Sequence, residues 1–353
     1  MLFVVGELLL VLAIPFMIIE GYHTLLDSRA GRFVEELTRE DPGWRALVDS
    51  TEVVGIAEVD QGTVTGVTLL INHVEVRSAG TAVLVPGTLL VDDVPLSGRA
   101  PADAVQAVGA ALDLAISRVE ILDDAGWDDV LGQETWVVES PDPVLDEAGN
   151  PLFEVGPVNV GADNVAAFVG RPAPGASPVS VLPRRELFWN AVIGSPPSAA
   201  AAIAEDLRAI DATTSQVLNL PAQQLEPQTI LDEAGAEALV REIVAFPAGP
   251  APGDRLRVRV LDRTGAANLE GIAAALAARG IEVIEIGNAF VFDDGGTEVI
   301  APMDLSSADG ALPDRVNQLI VAVGLDAATL DPEAPDDVVI VVVGGDFDLA
   351  NVS

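Results

Sequence analysis

The stretch Leu256–Ile286, LRVRVLDRTGAANLEGIAAALAARGIEVIEI, has the clearest secondary-structure pattern in the chain. Leu256–Leu261 alternates apolar and charged residues, which predicts a strand, and a polar, glycine-containing turn follows it. Leu269–Arg279 carries apolar residues at helical spacing, and Gly280 stands where a helix commonly ends. Ile281–Ile286 is a second β-branched run. A strand, a helix and a strand in this order predict a βαβ unit and therefore the α/β class.

The same pattern continues to the C-terminus. TEVIAPM (297–303) predicts a third strand, LPDRVNQLIVAVG (312–324) a helix, and DVVIVVVGGDF (337–347) a buried final strand. We therefore predict a small α/β domain over residues 254–353. The segment PAGPAPG (247–253) precedes it and is typical of a short, stiff linker.

A second α/β domain is predicted over residues 51–246. Three β-branched runs separated by glycine turns occupy its first part, and Pro101 then stands at the expected first position of a helix. Further strands and helices alternate up to Ile210, which predicts a layered α/β domain.

The N-terminal residues 1–24 predict a transmembrane anchor. Leu2–Ile19 is apolar except for Gly6, Glu7 and Pro15, and its eighteen residues span about 27 Å as a helix, close to the thickness of a bilayer core. No basic segment precedes it and no A-x-A cleavage site follows it, which argues against a cleaved signal peptide. Residues 25–50 predict a polar juxtamembrane helix.

Composition excludes several functional classes. The 353 residues include 55 acidic and 18 basic side chains, a net charge of -37, which argues against a nucleic-acid partner. All basic side chains are arginine, and the acidic surface is consistent with either a codon bias or a saline habitat. The chain has no cysteine and only His23 and His73, which excludes thiolate chemistry and argues against a histidine metal cluster.

Two sets of residues are candidates for anion binding. The turn Asp262–Gly265 precedes a helix, but no phosphate-binding glycine pattern surrounds it, so we interpret it as structural. Arg171, Arg184 and Arg185 lie near one Pro/Gly/Ser loop and are candidates for binding a phosphate or a lipid phosphate. The alternative for these arginines is salt bridging to the acidic surface.

The C-terminal residues resemble a known family. RVRVLDRTGAANLEGIAAALAARGIEVIEIGNA (257–289) and the final VVIVVVGGDF (338–347) resemble the LytR C-terminal domain, over about residues 254 to 348. One departure is Asp262-Arg263, where the family usually has Asn-Gly.

Residues 51–246 resemble a LytR-CpsA-Psr (LCP) domain in outline. The resemblance rests on GVTLLINHVEVRSAGTAVLVPGTLLVD (66–92), LFEVGPVNVGADNVAAFVGR (152–171) and PRRELFWNAVI (183–193). It implies a cell-envelope protein whose relatives hold a polyprenyl-pyrophosphate-linked glycopolymer with arginines and transfer it, with Mg²⁺, to peptidoglycan.

Residues that such a transfer needs are missing. The family's Pro-Arg-Asp motif is Pro86-Gly87-Thr88 here, its strand-opening Asp is Gly66, and the Arg of its Y-V-R run is Gly170. Arg171 stands beside the last position, and Arg184 and Arg185 are retained. Because one such loss typically lowers a rate by orders of magnitude, we predict a catalytically inactive domain with no catalytic residues, no metal ligands and no cofactor.

We therefore expect a membrane-anchored envelope protein that binds a lipid-linked glycan, peptidoglycan or an envelope protein. The alternative is an active, Mg²⁺-dependent phosphotransferase that uses the three arginines with acids such as Asp60 or Asp92. A third possibility is a scaffold without a ligand. Arg29 and Arg32 favour a cytoplasmic body by the positive-inside rule, whereas the family resemblance implies an extracytoplasmic one, which we prefer.

Overall fold

The computed structural model describes residues 37–72, 80–146, 148–210, 215–225, 227–251, 254–302, 311–331 and 338–351. The predicted anchor, residues 1–24, lies outside the described residues. Within the described ranges, no helix is long and apolar enough to cross a bilayer.

Strands and helices alternate along the described chain. The strands are β1 Arg45–Leu47, β2 Glu52–Asp60, β3 Thr63–Asn72, β4 Thr81–Pro86, β5 Leu89–Val91, β6 Val94–Pro95, β7 Arg118–Leu122, β8 Thr135–Ser140, β9 Val144–Leu145, β10 Pro151–Phe153, β11 Gly156–Gly161, β12 Gln216–Asn219, β13 Ala222–Leu225, β14 Gln228–Leu231, β15 Arg257–Asp262, β16 Glu282–Asn288, β17 Glu298–Pro302, β18 Thr329–Asp331 and β19 Val339–Val343. The α-helices are α1 Pro101–Ala111, α2 Asp124–Leu131, α3 Val165–Gly170, α4 Leu182–Gly194, α5 Ala202–Ala209, α6 Glu233–Ile243, α7 Leu269–Ala277 and α8 Ala311–Ala322.

The first domain is built on a five-stranded sheet with the order β12-β4-β3-β2-β7. Its central strands are antiparallel to one another, whereas β7 and β12 add in parallel at the two edges. A four-stranded sheet, β13-β14-β5-β6, and the two-stranded pairs β8/β11 and β9/β10 complete the domain.

Both faces of this central sheet are buried. Alternate residues of β2, such as Val54 and Ile56, pack with α2, α3, α4 and α5 on one face. The intervening residues, such as Val53 and Ala57, pack with α1 and α6 on the other. Because successive side chains of a strand point to opposite faces, a nearly continuous apolar strand needs a layer on each side. The predicted layered α/β architecture is confirmed.

The second domain contains one six-stranded sheet with the order β1-β16-β15-β19-β17-β18. Strands β15 and β16 pair in parallel, and α7 connects them, which confirms the predicted βαβ unit. Strand β19 pairs in parallel with the other side of β15, and β17 runs antiparallel to β19. Apolar side chains of α7 and α8 cover this sheet.

The predicted juxtamembrane helix over residues 25–50 is wrong in its described part. Residues 37–50 contain turns and strand β1, which pairs antiparallel with β16 at the edge of the second domain's sheet. The pairing is extended on both sides, since the Gly43 amide donates to the Ala289 carbonyl at 2.9 Å and the Val48 amide to the Ile284 carbonyl at 3.1 Å. The edge of a sheet offers unpaired backbone groups to such a segment, which its local sequence does not reveal.

Candidate functional site

Helix α4 brings two of the predicted arginines into the first domain's interior. Arg184 and Arg185 are both fully buried, although they occupy the helix's first turn. Arg185 and Trp189 are four residues apart and therefore share one side of the helix. That side faces Glu58 of β2, which is also fully buried.

Glu58 is the acceptor at the centre of a buried polar network. Its Oε2 lies 2.8 Å from Arg185 Nε. Its Oε1 accepts hydrogen bonds from Thr68 Oγ1 at 2.6 Å, Trp189 Nε1 at 2.9 Å and Arg185 Nη2 at 3.1 Å. A charge buried among apolar rings needs such partners, because an unpaired ion in this environment would be strongly destabilising.

The remaining donors of Arg185 are directed at strand backbone. Nη1 donates to the Val85 carbonyl at 2.9 Å and Nη2 to the Val67 carbonyl at 3.2 Å. Gly66 provides the space, because a Cβ atom built on it would lie 2.4 Å from the guanidinium carbon. Gly66 is the cross-strand neighbour of Glu58, so their side-chain positions lie on the same face of the sheet.

The three glycines at the family's motif positions are packed around one segment of β3. A Cβ atom on Gly87 would lie 2.7 Å from the Thr65 carbonyl oxygen, and the Gly87 amide donates to that oxygen at 3.0 Å. A Cβ atom on Gly170, at the end of α3, would lie 2.8 Å from Thr65 Cγ2. The Arg185 guanidinium, strand backbone and the Thr65 side chain therefore fill the space in which side chains at Gly66, Gly87 and Gly170, respectively, would begin.

Arg184 is buried beside an aromatic ring. Its guanidinium carbon lies 5.7 Å from the centroid of the Phe168 ring, and Nη2 donates to the Arg171 carbonyl. Nη1 lies 3.3 Å from Asp142 Oδ1, and Nε has no hydrogen-bond partner among the described residues. Burial lowers the pKa of Arg184, and the Asp142 carboxylate acts in the opposite direction.

Arg171, the third predicted arginine, is paired with an acid that the sequence suggested as a catalytic alternative. Its Nε and Nη2 donate to the two carboxylate oxygens of Asp60, at 2.6 Å and 3.0 Å. This bidentate geometry is the strong form of an arginine–carboxylate contact. Asp60 terminates β2 two residues after Glu58, so all three arginines lie near one end of the sheet.

The other suggested acid, Asp92, lies in an exposed hairpin turn. The turn joins β5 to β6, and both of its residues, Asp92 and Asp93, have positive φ angles of 51° and 61°. Such angles are typical of the type I′ turn, which acidic residues tolerate. A turn-forming role accounts for both residues.

The donor set does not fit Mg²⁺. In the described part of the chain, no group of three or more acidic, histidine or cysteine side chains is arranged to hold a metal ion. The family's acidic positions are Gly66 and Thr88, and the Thr88 hydroxyl lies 2.8 Å from that of Thr229. Glu58 and Asp60 are already paired with arginines.

The sequence identified the arginines of this cluster but missed Glu58. The signal was present: Glu58 is the acid inside the otherwise apolar run VVGIAEV, which predicts a strand. A charged residue within a buried strand requires a partner of opposite charge. In the turn Asp262–Gly265, which the sequence predicted to be structural, Asp262 accepts hydrogen bonds from the Thr264 and Ala267 amides at 2.7 Å and 2.8 Å.

A family match supports the resemblance of the second domain. Residues 255–347 match the family LytR_C, described as the LytR cell envelope-related transcriptional attenuator. This match confirms the predicted LytR C-terminal domain. No curated protein matches the chain.

Several solved structures are similar to the chain at low identity. Bacillus subtilis TagV is 12% identical, with 56% of this chain and 96% of that chain covered and a TM-score of 0.42. A LytR-Csp2A-Psr enzyme from Actinomyces oris is 17% identical, with 58% and 94% covered and a TM-score of 0.42. The LytR-CPS2A-psr family protein TagT with bound octaprenyl pyrophosphate is 14% identical, with 61% and 96% covered and a TM-score of 0.42.

Proposed function

We propose that this chain, whose residues 255–347 match the LytR C-terminal family, is an LCP-type cell-envelope protein whose first domain no longer transfers glycopolymers. In this proposal, residues 1–24 anchor it in the membrane and both domains are extracytoplasmic. Its role is non-catalytic binding of an envelope component, which is peptidoglycan, the glycan of a lipid-linked precursor, or an envelope protein.

The proposal rests on how the side chains of the arginine cluster, which consists of Arg171, Arg184 and Arg185, are buried and paired. Pyrophosphate binding needs cations that are accessible to the ligand, and phosphoryl transfer needs a metal held by carboxylates. Here Arg185 is buried against Glu58 and occupies the space beside Gly66. Arg171 forms a bidentate ion pair with Asp60. A phosphate that bound Arg171 or Arg185 would therefore compete with these two ion pairs.

The core beside the cluster argues against a lipid chain held within the first domain. Helix α4 packs Phe188 and Trp189 against Trp127, with ring centroids 5.7 Å and 6.1 Å apart. Phe168 and Phe153 lie next to them, with centroids 5.1 Å apart. This layer between sheet and helices is filled by rings, which favours a ligand that docks on the protein surface.

The first test is a transfer assay with a polyprenyl-pyrophosphate-linked glycan donor, peptidoglycan acceptor and Mg²⁺. We expect no transfer above the reaction without protein, with an active LCP enzyme as the positive control. Transfer by the wild type that Arg184→Ala abolishes would establish the alternative, an active phosphotransferase.

The second test is binding. The chain is expected to sediment with purified peptidoglycan sacculi, or to release heat on titration with soluble glycan fragments. No sedimentation and no heat at millimolar fragment concentration would remove the glycan-binding part of the proposal and favour a scaffold role.

A further inference from the structure

A cleft of about 870 Å³ lies between the two domains, away from the arginine cluster. Helix α6 of the first domain contributes one wall. Helix α8 and the end of α7, both in the second domain, contribute the other. Clefts of this size, at domain interfaces, are where proteins commonly bind small ligands.

The cleft concentrates positive charge in a strongly acidic protein. Four of the eighteen basic residues line it: Arg241, Arg255, Arg279 and Arg315. Three acidic residues line it as well: Asp113, Glu233 and Glu237. The lining charge is therefore 4 − 3 = +1 where the whole chain carries -37. On a surface that is otherwise strongly negative, a lining with one excess positive charge is a more favourable place for an anion.

Arg255 fixes the floor of the cleft. Its side chain is buried, Nε donates to the Asp113 carbonyl at 2.9 Å, and Nη1 donates to the Gly280 carbonyl at 2.9 Å. These bonds join the end of α1 to the end of α7 but do not neutralise the guanidinium. Its nearest carboxylate, on Asp113, lies 3.6 Å from Nη2. Burial raises the pKa of Asp113, although Arg255 and Arg315 act against this rise.

The other walls combine free charge and apolar surface. Arg241, on α6, is exposed and makes no hydrogen bond or ion pair with the described residues. Val240 and Ile281 contribute buried apolar surface from opposite sides. Val321 of α8 also lines the cleft, with 74% of its side chain exposed, so it is accessible to a ligand there.

We propose that this cleft binds an anionic amphiphile, a molecule with one apolar chain and a carboxylate or phosphate headgroup. The chain lies against Val240, Ile281 and Val321, and the headgroup meets the guanidinium groups of Arg241 and Arg315. Guanidinium matches both headgroups in geometry, and the apolar wall gains from covering the chain. This inference does not rest on the proposed function, because it uses neither the arginine cluster nor the family resemblance.

The test is isothermal titration calorimetry of the full chain with four probes: dodecyl phosphate, dodecanoate, dodecanol and inorganic phosphate. The charged amphiphiles are used below their critical micelle concentrations. We expect dodecyl phosphate, dodecanoate or both to bind at least about tenfold more tightly than dodecanol and inorganic phosphate, a difference of about 1.4 kcal/mol. Binding of only one amphiphile identifies the headgroup. Equal binding of dodecanol, or no binding of either anion at millimolar concentration, would overturn the proposal.

Variants locate the binding in this cleft. Arg241→Gln combined with Arg315→Gln is expected to weaken amphiphile binding at least about tenfold. Arg39→Gln is the matched control, since Arg39 is half-exposed, pairs with Glu270 and does not line the cleft. Circular dichroism checks that each variant is folded. Unchanged affinity in the folded double variant would show that the amphiphile binds elsewhere and would contradict the inference.

Discussion

The Glu58–Arg185 pair is fully buried on both sides. Burial removes the hydration of two ions, and their mutual attraction offsets this only while both are present. Thr68 and Trp189 both donate hydrogen bonds to Glu58, so position 58 requires a carboxylate or another acceptor. The pair therefore acts as a structural unit, and its members should not be independent.

We expect Arg185→Met to destabilise the protein by about 3–5 kcal/mol, because it leaves Glu58 charged, buried and without a counter-ion. The double variant Glu58→Gln, Arg185→Met should recover part of this loss, since a glutamine oxygen is neutral and still accepts from Trp189. Urea unfolding followed by tryptophan fluorescence measures both.

The half-exposed pair between Arg39 and Glu270 provides the control. Arg39→Met should cost at most about 1 kcal/mol, as is usual for a solvated ion pair. If Arg185→Met were equally mild, or if the double variant were less stable than Arg185→Met alone, the pair would not be the unit described here.

The sequence predicted which arginines cluster but not what they do. Arg184 and Arg185 are adjacent and Arg171 is close in the chain, so local inspection finds them. Their partners are distant: Glu58 is 127 residues from Arg185, and Asp60 is 111 residues from Arg171. Only the folded sheet brings these pairs together, which is why both surface salt bridges and phosphate binding were compatible with the sequence.

At the level of elements, the sequence predicted those with strong local periodicity. The strands β2, β3, β4 and β15, the helices α1 and α7, and the βαβ unit all follow from apolar spacing and end signals. It missed β12, β13 and β14, which are four residues each and contain glutamine and asparagine rather than a clear apolar pattern. It also missed α6, whose N-cap Asp232 accepts from the Gly235 amide at 3.2 Å.

Strand β1 is the clearest case of an element defined by its partner. It has only three residues and precedes the first domain in sequence, yet it pairs with β16 of the second domain. Trp44, Ala46 and Val48 pack against the second domain's core. The segment before the first domain therefore covers an edge that would otherwise expose unpaired backbone groups.

We expect Val48→Pro to destabilise the second domain by about 1–3 kcal/mol. Proline removes the amide that donates to the Ile284 carbonyl and leaves that carbonyl without its partner. Val48→Ala is the matched control, because it removes most of the side chain and keeps the amide. Thermal unfolding monitored by circular dichroism measures both, and equal melting temperatures for the two variants would show that the β1 pairing adds nothing to stability.

At the level of the whole molecule, the net charge and the apolar core have opposite effects on the stability of the fold. Each sheet is covered by packed aliphatic and aromatic side chains. The chain nevertheless carries -37 in net charge, and the acids that repel one another are mostly exposed. Net charge of this size destabilises the compact state through self-repulsion, which salt screens.

We therefore expect the free energy of unfolding to rise between 0.05 M and 1 M NaCl, by at least about 1.4 kcal/mol or tenfold in the folding equilibrium constant. The Debye length falls from above 10 Å to about 3 Å over this range, which suppresses repulsion between surface acids. Urea unfolding at each salt concentration measures the slope. Equal stability at low and molar salt would contradict the prediction and leave a codon bias as the simpler account of the composition.

Two variants separate surface repulsion from the buried pair. Asp128 and Asp129 are adjacent, exposed acids on α2, and changing both to Asn should raise stability at low salt and reduce the salt slope.

The loss caused by Arg185→Met should be nearly the same at both salt concentrations, because ions do not enter the space between Glu58 and Arg185 and buried pairs are screened little. A salt-dependent loss for Arg185→Met would mean that water reaches the pair, and with it a small anion could approach the arginine.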